Sequence, residues 1–171
     1  GQTILRNVAK EPEVEDLAKF LNSMGAQILG AGTDEITING VDDLIESTFT
    51  IPADRIEAGT YLIAAAVTYG DIVIQDINAT RMNNILDKLK LSGALIETNE
   101  NSISLSMPHD SINPVDISTA PFPGFPTDMQ AQFTVLNALS IGSAVITENV
   151  FENRFMHVQE LNRMGCDITV K

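Results

Sequence analysis

Gly70-Asp71-Ile72-Val73-Ile74 opens, and Ser92-Gly93-Ala94-Leu95-Ile96 closes, a segment whose internal order occurs twice more in the chain. The same frame runs from Gly1-Gln2-Thr3-Ile4-Leu5 to Met24-Gly25-Ala26-Gln27-Ile28, and from Gly142-Ser143-Ala144-Val145-Ile146 to Met164-Gly165-Cys166-Asp167-Ile168. The opening glycines, at 1, 70 and 142, stand 69 and 72 residues apart. The second glycines, at 25, 93 and 165, follow them by 24, 23 and 23. Self-similarity at a fixed spacing marks a repeated supersecondary unit.

Each copy has the same physical grammar. A short alternating run after the first glycine, such as Asp71-Ile72-Val73-Ile74, predicts a strand with one buried face. Apolar residues at helical spacing follow: Leu17, Phe20, Leu21 and Met24, then Ile85, Leu86 and Leu89, then Val158 and Leu161. Glu11-Pro12-Glu13 suits a helix N-terminus, and the second glycine stands where a left-handed helix cap is wanted. A hairpin is expected next, with 27–29 against 35–38 and 95–97 against 102–105; Asp34 and Asn99-Glu100-Asn101 supply turn chemistry. A further helix precedes the glycine in two copies, over 54–68 and 127–139, and both start on good cap settings, Pro52-Ala53-Asp54 and Pro126-Thr127-Asp128. The unit is therefore helix, strand, helix, hairpin, and the fold class is α/β (α+β). The first copy lacks its leading helix and the third ends just as a strand is expected to begin. A repeat unit buries its apolar face only against neighbours, so the simplest account is a piece of a longer protein; a complete protein with ragged repeats is the alternative.

Bulk properties narrow the class. Of 171 residues 44% are hydrophobic and 19% charged, a globular composition. The net charge of -13, from 23 acidic and 10 basic residues, argues against nucleic acid and against an anionic membrane surface. No apolar run approaches the ~18–20 residues that span a bilayer, and the N-terminus lacks the pattern of a signal peptide; a cytoplasmic location is expected. The single cysteine, Cys166, forms no intrachain disulfide and reads as an ordinary structural residue. His109 and His157 have no metal-ligand spacing with another His or Cys, so neither metal nor cofactor is expected.

Four stretches are more specific than periodicity. They are Thr119-Ala-Pro-Phe-Pro-Gly-Phe-Pro-Thr-Asp-Met-Gln-Ala-Gln-Phe133, Thr147-Glu-Asn-Val-Phe-Glu-Asn-Arg-Phe-Met-His157, Arg6-Asn-Val-Ala-Lys-Glu-Pro-Glu13 and Ala53-Asp-Arg-Ile-Glu-Ala-Gly-Thr60. Together they resemble the enolpyruvyl transferases that act on UDP-N-acetylglucosamine, and the resemblance runs the length of the chain. It implies two inside-out α/β barrel domains, each of three helix–strand–helix–hairpin units. Residues 1–50 would be the last repeat of the first domain and 51–171 the first part of the second, both incomplete. The family's catalytic-cysteine loop would lie before Gly1, and a phosphate-binding arginine segment after Lys171; Cys166 does not match that cysteine. The reaction implied moves the enolpyruvyl group of phosphoenolpyruvate to the sugar 3′-hydroxyl, releasing phosphate in the first committed step of peptidoglycan synthesis. The implied partners are the two small-molecule substrates.

Such chemistry needs a base for the hydroxyl proton, an acid for the enol carbon and cations for the phosphates. The resemblance assigns Asp128 to the 3′-hydroxyl as base; it also stands at a helix start, where the dipole favours negative charge, and an ordinary first-turn Asp is the bland reading. Arg154 would lie near the intermediate and Glu152 close to the reacting centre, an internal ion pair being the alternative. Val150 would contact the nucleotide sugar through its backbone, with Thr127 beside it. Asp54 and Arg55 occupy the repeat-equivalent of the Asp128 neighbourhood, and Glu11 resembles a residue at the site entrance. The chain alone is expected to be inactive, with exposed apolar faces in 1–50 that favour dimerisation or rearrangement. Two rivals remain: a 3-phosphoshikimate 1-carboxyvinyltransferase-like enzyme, disfavoured by the Phe125–Gln130 and Glu152–His157 strings, and a non-catalytic repeat or binding module.

Overall fold

The computed structural model describes residues 1–108 and 111–171; His109 therefore lies outside the described residues. The chain divides into two units, Gly1–Pro52 with Pro121–Pro123, and Ala53–Ala120 with Gly124–Lys171.

In the first unit the order is β1 (Gln2–Arg6), α1 (Pro12–Ser23), β2 (Gln27–Leu29) and β3 (Glu35–Asn39). β3 comes last in sequence and lies in the middle, antiparallel to both neighbours, with Gln2 and Gln27 each opposite Asn39. The predicted hairpin and the proline-started helix both form. Two expectations do not hold. β1 is exposed at all five positions instead of burying one face, and Leu17 on α1 is 56% exposed. One helix cannot cover both a three-stranded sheet and itself: α1 packs along β2, so β1 and the Leu17 side of the helix stay open to solvent.

The second unit begins with α2 (Arg55–Val67) and continues through β4 (Asp71–Gln75), a 3-10 turn (Ala79–Met82), α3 (Asn83–Leu91), β5 (Leu95–Asn99) and β6 (Ser102–Ser106). Here the predicted helix–strand–helix–hairpin unit is complete. Its sheet has the order β4-β6-β5, again with the last strand central. β7 (Ile117–Ser118), a 3-10 turn (Thr127–Met129), α4 (Gln130–Ala138), β8 (Ile146–Thr147) and α5 (Met156–Arg163) follow. The core is shared by Leu62, Met82, Ile85, Leu86, Leu89, Ile103, Leu105, Met129, Phe133 and Leu136, all nearly inaccessible to water. Phe133 meets Phe125 edge to face at 5.1 Å. The predicted stripes Ile85/Leu86/Leu89 and Val158/Leu161 are buried as expected.

The third copy departs most from its pattern. Instead of a strand of four or five residues after Gly142, only Ile146–Thr147 pair, and they do so in parallel with β7. Residues 166–171 form no strand. In the other copies the opening strand and the post-helix strand both pair with a central one, and the described residues hold no such partner for the third. The 127–139 helix also differs, starting as a 3-10 turn before the α-helical part, with no side-chain cap.

The second glycines do what was predicted of them. Gly25, Gly93 and Gly165 have φ of 95°, 105° and 104°. Each closes its helix with the same pair of bonds: Gly25, Gly93 and Gly165 donate to the carbonyls of Asn22, Lys90 and Asn162, and Ala26, Ala94 and Cys166 to those of Leu21, Leu89 and Leu161. This is the Schellman arrangement. In the first and third copies a side chain reinforces it: Asn22 brackets the backbone of Ile28, and Asn162 that of Ile168, each with two bonds of 2.8–3.0 Å.

At the front of α2, Asp54 accepts from the backbone N–H groups of Ile56 (2.7 Å) and Glu57 (3.3 Å). Removing a side-chain cap of this kind costs about 1 kcal/mol. Asp54→Ala is therefore expected to lower the unfolding free energy by that amount, read as a lower urea midpoint at unchanged slope, and Asp54→Asn to restore most of it.

Candidate active site

β7 and β8 run side by side for two residues, and their continuation builds the site. Beyond them Thr119 N–H donates to the Thr147 carbonyl at 3.0 Å, which sets the fully buried Thr119 beside Glu148. The carboxylate of Glu148 accepts four hydrogen bonds. Thr119 Oγ1 (2.8 Å), Val150 N (2.9 Å) and Phe151 N (3.2 Å) reach Oε1, and Thr127 Oγ1 (2.9 Å) reaches Oε2. Burial alone would raise the Glu148 pKa, but these donors outweigh it and hold the carboxyl below its ordinary value.

Thr127 passes the connection on. Its oxygen accepts from Arg154 Nη1 at 2.8 Å, and Arg154 Nη2 donates to Asp128 Oδ1 at 2.7 Å. The guanidinium also lies over the Phe151 ring, 5.0 Å from its centroid. The Arg154 carbonyl accepts from Gln130 Nε2 at 3.3 Å, and Gln130 is fully buried. His157, one turn away, has its pKa lowered, first by burial and then by the charge of Arg154.

Of the residues picked from the sequence, Thr127, Asp128 and Arg154 are brought together directly and Val150 joins them through Glu148. Glu152 is exposed in a turn and makes no hydrogen bond or ion pair with the described residues. The internal Arg154–Glu152 pair considered above does not form; the partner of Arg154 is Asp128. Asp54 caps α2, and Arg55 is buried. In the first unit Glu11 precedes α1 and accepts from Phe122 N at 3.3 Å. Among the described residues no group of acidic, histidine and cysteine side chains is arranged to hold a metal, and no helix is long and apolar enough to cross a membrane.

Sequence reading overlooked Glu148 and Thr119. Both stand inside the specific stretches, and a signal for Glu148 exists in the repeat. It follows its opening glycine by six residues, as Asn7 and Asp76 follow theirs. Those two take left-handed backbones, with φ of 56° and 58°; Glu148 is spent on hydrogen bonds instead.

With this geometry the comparisons are decisive for the family. The chain belongs to the EPSP synthase (3-phosphoshikimate 1-carboxyvinyltransferase) family, whose model matches residues 1–171. Within it, the chain is 54% identical over all 171 residues to the UDP-N-acetylglucosamine 1-carboxyvinyltransferase of Aeromonas hydrophila, covering 41% of that protein. It is 56% identical to the enzyme of the same name from Coxiella burnetii, covering 39%. The chain thus spans about two fifths of the length of the curated relatives it matches. Among solved structures, the enolpyruvyl transferase NikO from Streptomyces tendae superposes on the whole chain with a TM-score of 0.86 at 25% identity, over 41% of its own length. The EPSP synthase of Acinetobacter baumannii shares the fold at a TM-score of 0.52 and 17% identity. The fold expected from the sequence is that of an enolpyruvyl transferase, and it is met.

Because the folded-state pKa of Glu148 is depressed, its contribution to stability is complete above the ordinary carboxylate range and is lost as pH falls through the lowered value. Glu148→Gln is expected to destabilise by about 1–3 kcal/mol at pH 7, and the gap to the unaltered protein should close in acid. Urea unfolding at several pH values reads this directly; a gap independent of pH would mean that the charge is irrelevant.

Proposed function

We propose that these 171 residues are a section of an enzyme that transfers the enolpyruvyl group of phosphoenolpyruvate to the 3′-hydroxyl of UDP-N-acetylglucosamine, with release of phosphate. The observation that carries this is the Thr127–Asp128–Arg154 cluster, set in a chain 54% and 56% identical over its whole length to proteins named for that activity. Residues 1–50 belong to the last repeat of one domain and 51–171 to the start of a second, a reading supported by the separate packing of Gly1–Pro52 and Ala53–Ala120. The protein acts in the cytoplasm on small, soluble substrates.

The chemistry is an addition followed by an elimination. The sugar hydroxyl adds to C2 of phosphoenolpyruvate while C3 takes a proton; C3 then loses a proton as phosphate departs. Asp128 offers a carboxylate, an acceptor-only group, with one oxygen tied to Arg154 and the other without a partner among the described residues. That oxygen takes the hydroxyl proton. Arg154, held between Asp128 and Thr127, stabilises negative charge that grows as the intermediate forms. Val150 presents its backbone to the nucleotide sugar, and the exposed Glu152 is free to approach the reacting carbon. Asp54, Arg55 and Glu11 bear on the substrates only from the periphery.

In the full-length enzyme, phosphate release from phosphoenolpyruvate should require UDP-N-acetylglucosamine, and Asp128→Asn should lower kcat about 10²–10⁴-fold. Release that instead requires shikimate 3-phosphate would transfer the chain to the sister activity. The 171-residue chain by itself should show no turnover; a rate near that of the full enzyme would overturn the reading.

The 1–50 segment carries Ile4, Leu5, Leu17 and Leu29 exposed. The isolated chain is expected to self-associate through this apolar surface, which sedimentation at increasing concentration detects, and Leu17→Lys together with Leu29→Lys should return it to a monomer.

A further inference from the structure

We propose that Glu148 is a positioning residue: by accepting the one hydrogen bond that the Thr127 hydroxyl can donate, its carboxylate leaves the Thr127 oxygen able to meet Arg154 only as an acceptor, and so fixes the guanidinium against Asp128. A threonine hydroxyl has one hydrogen and two lone pairs, and an ionised carboxylate accepts only. Thr127 Oγ1 lies 2.9 Å from Glu148 Oε2 and 2.8 Å from Arg154 Nη1. The guanidinium has no lone pair to offer, so the hydrogen of Thr127 goes to Glu148. The same rule operates at Thr119, whose hydrogen goes to Glu148 Oε1 and whose oxygen accepts from Asn149 N at 2.8 Å. One carboxylate thereby orients two hydroxyls and, through Val150 and Phe151, the loop that carries Arg154 and the ring beneath it.

Glutamine has the size of glutamate but cannot reproduce this pattern. With its amide nitrogen toward Thr127, it donates to the second lone pair of an oxygen already accepting a hydrogen bond from Arg154, and the hydroxyl hydrogen is left without an acceptor. Turned the other way, its N–H groups face the N–H groups of Val150 and Phe151 and the hydroxyl of Thr119. The first orientation strands the hydroxyl hydrogen and the second sets donors against donors, and each disturbs the contacts that hold Arg154. The effect on turnover rests on the enolpyruvyl-transfer reading above; the effect on geometry does not.

The test uses the full-length enzyme, with kcat expressed per folded molecule. Glu148→Gln should lower kcat about 10- to 100-fold, the scale of a small misplacement of a group at the reacting centre. In a Thr127→Val background the same change should cost less than about 3-fold, because the hydroxyl through which Glu148 acts is already gone; in a Thr127→Ser background the full loss should return. A purely structural role predicts the same fold-loss in all three backgrounds, and that result would overturn the proposal. A crystal structure of Glu148→Gln should show Arg154 Nη1 beyond hydrogen-bond distance of Thr127 Oγ1, with the strands unmoved; Arg154 found in its original place would also overturn it. The structural arm decides even where the unaltered enzyme releases no phosphate with UDP-N-acetylglucosamine, an outcome that sinks the functional reading alone. If Glu148→Gln does not fold, Thr127→Val by itself decides: it should lower kcat by a similar 10- to 100-fold, and wild-type turnover would exclude the hydroxyl as the route.

Discussion

Met129 occupies the space that a Cβ on Gly59 would need. Its Sδ and Cε lie 2.9 Å from where that carbon would stand. Close approach of this kind is available only to glycine, and it seats the turn Thr127–Met129 directly on α2. Met129 is wholly buried there, in the same apolar cluster as Phe133 and Leu136. Thr127 and Asp128 are thus held by the residue that follows them, and they in turn meet Arg154. A side chain at position 59 would have to displace the Sδ–Cε end of Met129, the residue that follows Asp128. The site is anchored in the apolar core.

Around that anchor the polar part is arranged for proton direction. The chain as a whole is strongly acidic. At the site, however, the negative charge of Glu148 is spent on N–H and O–H donors, and that of Asp128 is matched by Arg154. Arg154 also rests on an aromatic face, and its charge adds to the burial that lowers the His157 pKa.

The sequence announced the repeat, and with it the helices, the hairpins and the left-handed glycines, because each depends on contacts within about 25 residues. Thr127, Asp128 and Arg154 were legible through the resemblance; composition alone treats them as ordinary helix-start and loop residues. What was not legible depends on partners distant in the chain. The strand after Gly142 has the right alternation, but a ladder needs a second strand, and only Ile117–Ser118 is on hand. β1 and Leu17 have the right pattern as well, but pattern does not say whether a covering layer exists. Glu148 escaped because nothing about an isolated glutamate reveals that hydroxyls from 29 and 21 residues earlier will converge on it.

The two leading helices of the second unit start from the same dipeptide position, Asp54 in one and Asp128 in the other. Asp54 closes the first turn of its helix with two backbone bonds. Asp128 closes nothing; a 3-10 turn, secured by Met129 and by the buried Gln130, starts its helix without it. A duplicated unit offers a spare copy of every structural part. Where packing takes over the duty of a cap in one copy, the aspartate there is released from folding and can be selected for chemistry alone, while its twin keeps the older task. Repetition in this chain is then a source of side chains released from capping, and Asp128 is one of them.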